Sequence, residues 1–111
     1  MSEIKVSELK RVTLMEVTGR IDSTNANQLG EALNGSIDNG RNQLVLDLSG
    51  VEYMSSAGLR EMVSALKRVR KGTGDLRLAN PSERVKEVLE LAGLDTIFEV
   101  YNTQVEAVGS F

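Results

Sequence analysis

Apolar residues first recur at every second position. Ile4 and Val6, with Leu9 beyond them, alternate with polar neighbours, and Val12, Leu14 and Val17 repeat the pattern as far as Gly19. That period belongs to half-buried strands. Two strands are therefore expected, with Glu8-Leu9-Lys10-Arg11 as the tip of the hairpin between them, although no Asn-Gly or Asp-Gly marks a turn. From Ser23 the period lengthens. Ala26, Leu29, Leu33 and Ile37 fall at helical spacing behind Ser23, Thr24 and Asn25, which are all capping types. Gly30 and Gly35 each weaken that helix by about 1 kcal/mol relative to alanine, and Asp38-Asn39-Gly40 ends it.

Leu44-Val45-Leu46-Asp47-Leu48 is the most hydrophobic run in the chain, bounded by Asn42 and by Ser49-Gly50. A short run of this kind suits a strand buried on both faces between parallel neighbours. A short loop is expected after it. Beyond Ser55-Ser56-Ala57-Gly58, the stripe Leu59, Met62, Val63, Leu66 and Val69 gives the clearest helix of the sequence, and Met62 and Leu66 read as core. Lys67, Arg68, Arg70 and Lys71 complement the dipole at its C-terminal end and read as a solvated helix terminus. Asp75–Ala79 alternates like a strand. Asn80-Pro81-Ser82-Glu83 then opens a helix with Asn80 as N-cap and Pro81 at the first position. Val85, Val88, Leu89 and Ala92 form its buried face, and Gly93 closes it. Ile97–Tyr101 reads as a last strand and Thr103–Val108 as a terminal helix. The order ββαβαβαβα points to an α/β fold, a mixed β-sheet of about five strands with about four helices packed on it.

Composition narrows the function more than the fold. With 111 residues, of which 41% are apolar, the chain is expected to form a single domain, residues 1–111, with a genuine core. Thirteen Lys+Arg against sixteen Asp+Glu give a net charge of −3, whereas a protein that grips a nucleic-acid backbone carries a basic excess. There is no Cys and no His. Thiol nucleophiles, Ser–His–Asp catalysis, disulfides and zinc sites of the usual ligand set are thereby removed. Met1–Val6 lacks a basic stretch followed by an apolar run, so no signal peptide is expected. Nor does any apolar run approach the ~18 residues that span a bilayer. A cytoplasmic, soluble protein is the expectation.

The chemistry left rests on hydroxyls, carboxylates and lysines. Gly72-Thr73-Gly74 follows a helix rather than opening one, so it does not read as a nucleotide loop. Asp47 and Glu52 invite a metal pair, but a single carboxylate ending a strand beside Ser49-Gly50 is the commoner, structural situation. The informative stretch is Val45–Arg60: a buried strand, a short loop, then two serines and two small residues at a helix start. One of Ser55 and Ser56 can be the N-cap, worth about 1 kcal/mol. Either can instead carry a phosphate, because free N–H groups and the dipole favour negative charge there. On the residues alone both readings stand.

In its details the chain resembles the STAS domain family, and within it the bacterial anti-sigma factor antagonists. The resemblance is carried by Gly19-Arg20-Ile21-Asp22, by Leu46-Asp47-Leu48-Ser49-Gly50-Val51, and by Ser55-Ser56-Ala57-Gly58-Leu59. Asn80-Pro81 and Val88-Leu89-Glu90-Leu91-Ala92-Gly93-Leu94 continue it, so it covers nearly the whole chain. It implies a STAS-like single domain and a function in binding rather than catalysis. The unmodified protein is expected to bind an anti-sigma factor with serine kinase activity and so release a sigma factor. The family's motif makes Ser56 the phosphorylated residue, with Ser55 as second choice because it stands where many relatives carry an acid.

The implied partner surface is Asp22, Ser23 and Thr24 together with Ser55, Ser56, Ala57, Gly58 and Leu59; for Asp22 and Ser23, plain helix capping is the alternative. A PP2C-type phosphatase is expected to reset the switch. No cofactor is expected on this chain, ATP and Mg being held by the partner kinase. The implied protein is a monomer without direct nucleic-acid or membrane contacts. Three rivals stand beside this reading: a STAS scaffold module of a stress-signalling complex, a soluble component of a transport system, and, weakest without a histidine base, a small enzyme using Asp47 and Ser56.

Overall fold

The computed structural model describes residues 2–111. Its elements are β1 (Ser2–Leu9), β2 (Val12–Ile21), α1 (Ala26–Asp38), β3 (Gln43–Met54), α2 (Ser56–Arg70), β4 (Asp75–Ala79), α3 (Glu83–Leu91), a 3-10 turn (Leu94–Thr96), β5 (Val100–Tyr101) and α4 (Gln104–Gly109). The strands form one sheet in the order β1-β2-β3-β4-β5. β1 pairs antiparallel with β2, and every later pair is parallel. Parallel neighbours need a crossover between them, and α1, α2 and α3 supply the three crossovers. Among the described residues no helix is long and apolar enough to cross a membrane.

Both faces of the sheet are covered. Leu44, Leu46 and Leu48 of β3 join Met15, Leu33, Met62, Leu66, Val85 and Leu89 in the main core, under α1, α2 and α3. Val45 points the other way, into a smaller cluster with Leu14, Ala79 and Ala107 under α4. The strand read as buried on both faces is so, and Met62 and Leu66 are core.

Several boundaries differ from the sequence reading. β3 does not give way to a loop after Leu48 but continues to Met54, and β2 continues past Gly19 to Ile21 beside it. The two strands hold each other extended through Thr18↔Gly50, Arg20↔Tyr53 and Ile21↔Met54, with register shifts that accommodate Gly19 at φ 90°. The hairpin turn is Lys10-Arg11, with Lys10 left-handed at φ 58°. Arg41 holds it by donating to Lys10 O at 3.0 Å and to Thr13 Oγ1 at 2.8 Å, which replaces the glycine such a turn usually needs.

α3 starts two residues later than expected. Ser82, not Asn80, is its N-cap, because the Ser82 hydroxyl donates to Val51 O at 2.7 Å and so anchors the helix start to β3. Asn80 instead turns the chain at φ 48°, and Ala92 is exposed. β5 shrinks to Val100–Tyr101 because the amides of Ile97 and Phe98 both bond to Leu94 O in a turn. The basic end of α2 is exposed, as its sequence suggests, and two of its arginines are also paired. Arg68 bonds Asn34 and Asp38 of α1, and Arg70 bonds Asp75 at 3.0 Å and Ile97 O at 2.8 Å.

Leu46 has no exposed surface and lies in the central strand. Leu46→Ala is expected to cost about 2–5 kcal/mol, read as a lower urea midpoint at unchanged m-value.

Candidate functional site

The site forms where β2 and β3 end at the same level. Ile21 pairs with Met54, and Ser55 N then donates to Ile21 O at 2.8 Å. The loop leaving β2 and the helix leaving β3 are thereby held side by side at the carboxyl end of the sheet, where parallel α/β folds place their functional groups. Asp22, Ser23 and Thr24 follow Ile21, whose carbonyl is bonded to the residue that precedes α2.

The two serines are separated by geometry. Ser55 is extended (φ −77°, ψ 167°), and its hydroxyl accepts from Gly58 N at 3.2 Å. It is the N-cap. Ser56, the first helical residue, is exposed, and its hydroxyl takes no part in that cap. Ala57 is half-buried. Gly58 and Leu59 are buried, so they support the helix start rather than present a surface. A Cβ on Gly58 would run into Met54 Sδ and come within 2.8 Å of Ile21 Cγ2, so only glycine lets α2 begin directly on the strand ends.

The Asp22 loop is stiffened from within. Asp22 Oδ1 accepts from Thr24 N at 2.9 Å and from the Thr24 hydroxyl. Asn25 Oδ1 accepts from Asp22 N at 2.8 Å, and Asn25 Nδ2 donates to Arg20 O at 2.8 Å. Neither Ser23 nor Thr24 caps α1; Asn25 holds the N-cap position without a side-chain cap bond. Hydrogen bonds to its charged form, chiefly from the Thr24 hydroxyl, lower the Asp22 pKa below the usual carboxylate value. The clasp is therefore complete above the ordinary carboxylate range and loosens only as pH falls through the lowered value. Ser23 and Thr24 are exposed on this stiffened loop.

Other groups near the site needed the register to be seen. Arg20 lies opposite Tyr53, and its guanidinium stacks 4.7 Å from the centre of that ring. Arg60 is exposed one helical turn after Ser56; that spacing was legible in the sequence. Ser56 and Arg60 border a depression of about 630 Å³ between α2 and the turn at Ala92–Leu94. A second depression, of about 590 Å³, has Arg20, Glu52, Glu83 and Arg84 on its wall, a balance of charges that selects no ligand. Asp47 is withdrawn from any such role. It faces α4, where Oδ1 accepts from Ser49 N and Oγ and Oδ2 accepts from Gln104 Nε2. Among the described residues no group of three His, Cys, Asp or Glu is placed to hold a metal.

Comparison with known proteins bears on the family and the fold. A model of the STAS domain matches residues 3–107. BtrV of Bordetella bronchiseptica, a candidate anti-sigma factor antagonist, is 39% identical over 93 residues, 84% of this chain and 80% of its own. The anti-sigma-B factor antagonist of Listeria monocytogenes is 33% identical over 108 residues, 97% of this chain and 94% of its own. The crystal structure of an anti-sigma factor antagonist from Mycobacterium paratuberculosis superposes with a TM-score of 0.90 at 27% identity, covering 99% of this chain and 93% of the other.

The division of labour between the serines can be measured. Ser55→Ala is expected to cost about 1 kcal/mol through the lost cap, whereas Ser56→Ala should stay within about 0.5 kcal/mol of the parent, as exposed substitutions do. Thermal unfolding of the two variants checks this, and equal losses would contradict the cap assignment.

Proposed function

The chain belongs to the STAS domain family, and on that footing we propose that it is an anti-sigma factor antagonist whose binding is switched off by phosphorylation of Ser56. The observation that carries this reading is the free hydroxyl of Ser56 beside the capping Ser55, at the exposed start of α2. The antagonist names borne by full-length relatives support the binding function.

In the unmodified state the surface made by Asp22, Ser23, Thr24, Ser55, Ser56 and Ala57, supported from beneath by Gly58 and Leu59, binds an anti-sigma factor that is also a serine kinase. A sigma factor is thereby released. The kinase brings ATP and Mg²⁺. Ser56 Oγ attacks the γ-phosphorus, the bond to the β-phosphate oxygen breaks, ADP leaves, and the hydroxyl proton passes to a base on the kinase. The new group adds about −1.5 to −2 charge and three acceptor oxygens to a face that had packed against the partner. The helix N-terminus favours negative charge, so the fold tolerates the group while the interface does not. A PP2C-type phosphatase restores the hydroxyl. The chain itself is no enzyme; it acts as a cytoplasmic monomer without direct contact to nucleic acid, in keeping with its net charge of −3.

Incubation with anti-sigma kinases of the same genome and ATP, followed by intact-mass and peptide analysis, tests the switch. One phosphate on Ser56, absent from Ser56→Ala, is expected. Ser56→Asp should fold normally while its affinity for the anti-sigma factor falls by about 5- to 150-fold. Phosphate on Ser55 alone would overturn the register, and no phosphate with any kinase would return the chain to the scaffold or transport reading.

A further inference from the structure

We propose that Arg60 receives the phosphoryl group once it is on Ser56, its guanidinium closing over the phosphate oxygens at the mouth of the depression beside α2. This rests on the reading of Ser56 as the phosphoacceptor and adds how the modified state is held.

Residues four apart on a helix stand one above the other, with Cβ atoms about 5–6 Å apart. Ser56 and Arg60 have that spacing, are both exposed, and border the same depression. The neighbouring groups leave Arg60 free for the task. Glu61, the adjacent acid, also borders this depression, but its carboxylate is turned towards α1, where it occupies the space beside Gly30. Ser55 Oγ is engaged in the cap. Arg68 and Arg70 are paired with Asp38 and Asp75, and among the described residues Arg60 takes part in none of the ion pairs.

Lys67, the other cation on this depression, lies eleven positions beyond Ser56, roughly 16 Å along the axis at the usual helical rise. It is too far to share the phosphate. A guanidinium presents paired donors that match phosphate oxygens, whereas an ammonium acts as a point charge. Capture therefore changes the face twice. A phosphate arrives, and the cation that a partner could have met is neutralised.

The test uses the full chain with phosphoserine installed at position 56 during translation, so no kinase is required. The second pKa of the phosphate, about 6 for an unperturbed phosphoserine, is read by phosphorus NMR titration at low salt. It is expected to lie roughly 0.5 pH unit lower with Arg60 than in Arg60→Gln, the size of a modest charge-assisted bond. Arg60→Lys should keep part of the difference and Lys67→Gln none of it. Equal values in the parent and Arg60→Gln would overturn the proposal, as would an equal or larger effect of Lys67→Gln. Since Arg60 is exposed, these variants should fold, and Arg60→Lys, which keeps the charge and stem, decides the matter if Arg60→Gln does not. Failure of every kinase to modify Ser56 would sink the switch while leaving this result standing. A null titration would sink only the role of Arg60.

Discussion

The bond from Ser55 N to Ile21 O is the last rung of the β2–β3 pairing, and the site depends on it. Because the two strands are parallel, their carboxyl ends finish on the same side of the sheet, and whatever follows each strand must begin there. The rung fixes how closely those beginnings stand. It requires β2 to run through its register shifts to Ile21 and β3 to run unbroken to Met54. Gly50 against Thr18 and Gly58 against Ile21 and Met54 are the close approaches that permit it, since a Cβ at either position would meet atoms nearer than real side chains allow.

From this rung the division between support and surface follows. Ile21, Met54, Gly58 and Leu59 are buried beneath, and Ser23, Thr24 and Ser56 are exposed above. The loop between Asp22 and Asn25 adds rigidity through its own side-chain bonds rather than through burial. A partner docking as proposed would meet a surface that loses little conformational freedom on binding. In the proposed switch, the same arrangement is what would let a charge be added without loss of the cap. The hydroxyl that stabilises the helix belongs to Ser55, and the one free to react belongs to Ser56.

The opposite face of the sheet has a structural task. Gln104 of α4 donates to both Glu16 and Asp47, two carboxylates opposite each other on neighbouring strands. An amide placed between them offsets the repulsion that like charges in that position exert. Nearby, Arg77 binds the buried Asp75 at 3.0 Å and Ser110 O at 2.6 Å and stacks 4.1 Å from the Phe111 ring centre. The last residues are thereby fastened over β4. Asp47, the most conspicuous acid of the hydrophobic run, is therefore part of how α4 is attached.

The sequence by itself determined which segments are strands and helices, because hydrophobic period is set by local geometry: the stripe from Leu59 to Val69 is a helix, and Leu44–Leu48 is buried on both faces. It also marked the Ser55-Ser56 segment as the one with chemistry. Tertiary structure decided what depends on residues distant in the chain. Ser49–Met54 stays extended only because β2 pairs with it, and Ser82 displaces Asn80 as a cap only because Val51 O is within reach. Arg68 and Arg70 are held at the surface because α1 and Asp75 bring acceptors to them. For the same reason the sequence put both serines at the helix start without separating them. A cap is a matter of where a hydroxyl lies relative to an amide three residues on, and that relation exists only once the strands beneath have fixed the direction in which α2 begins.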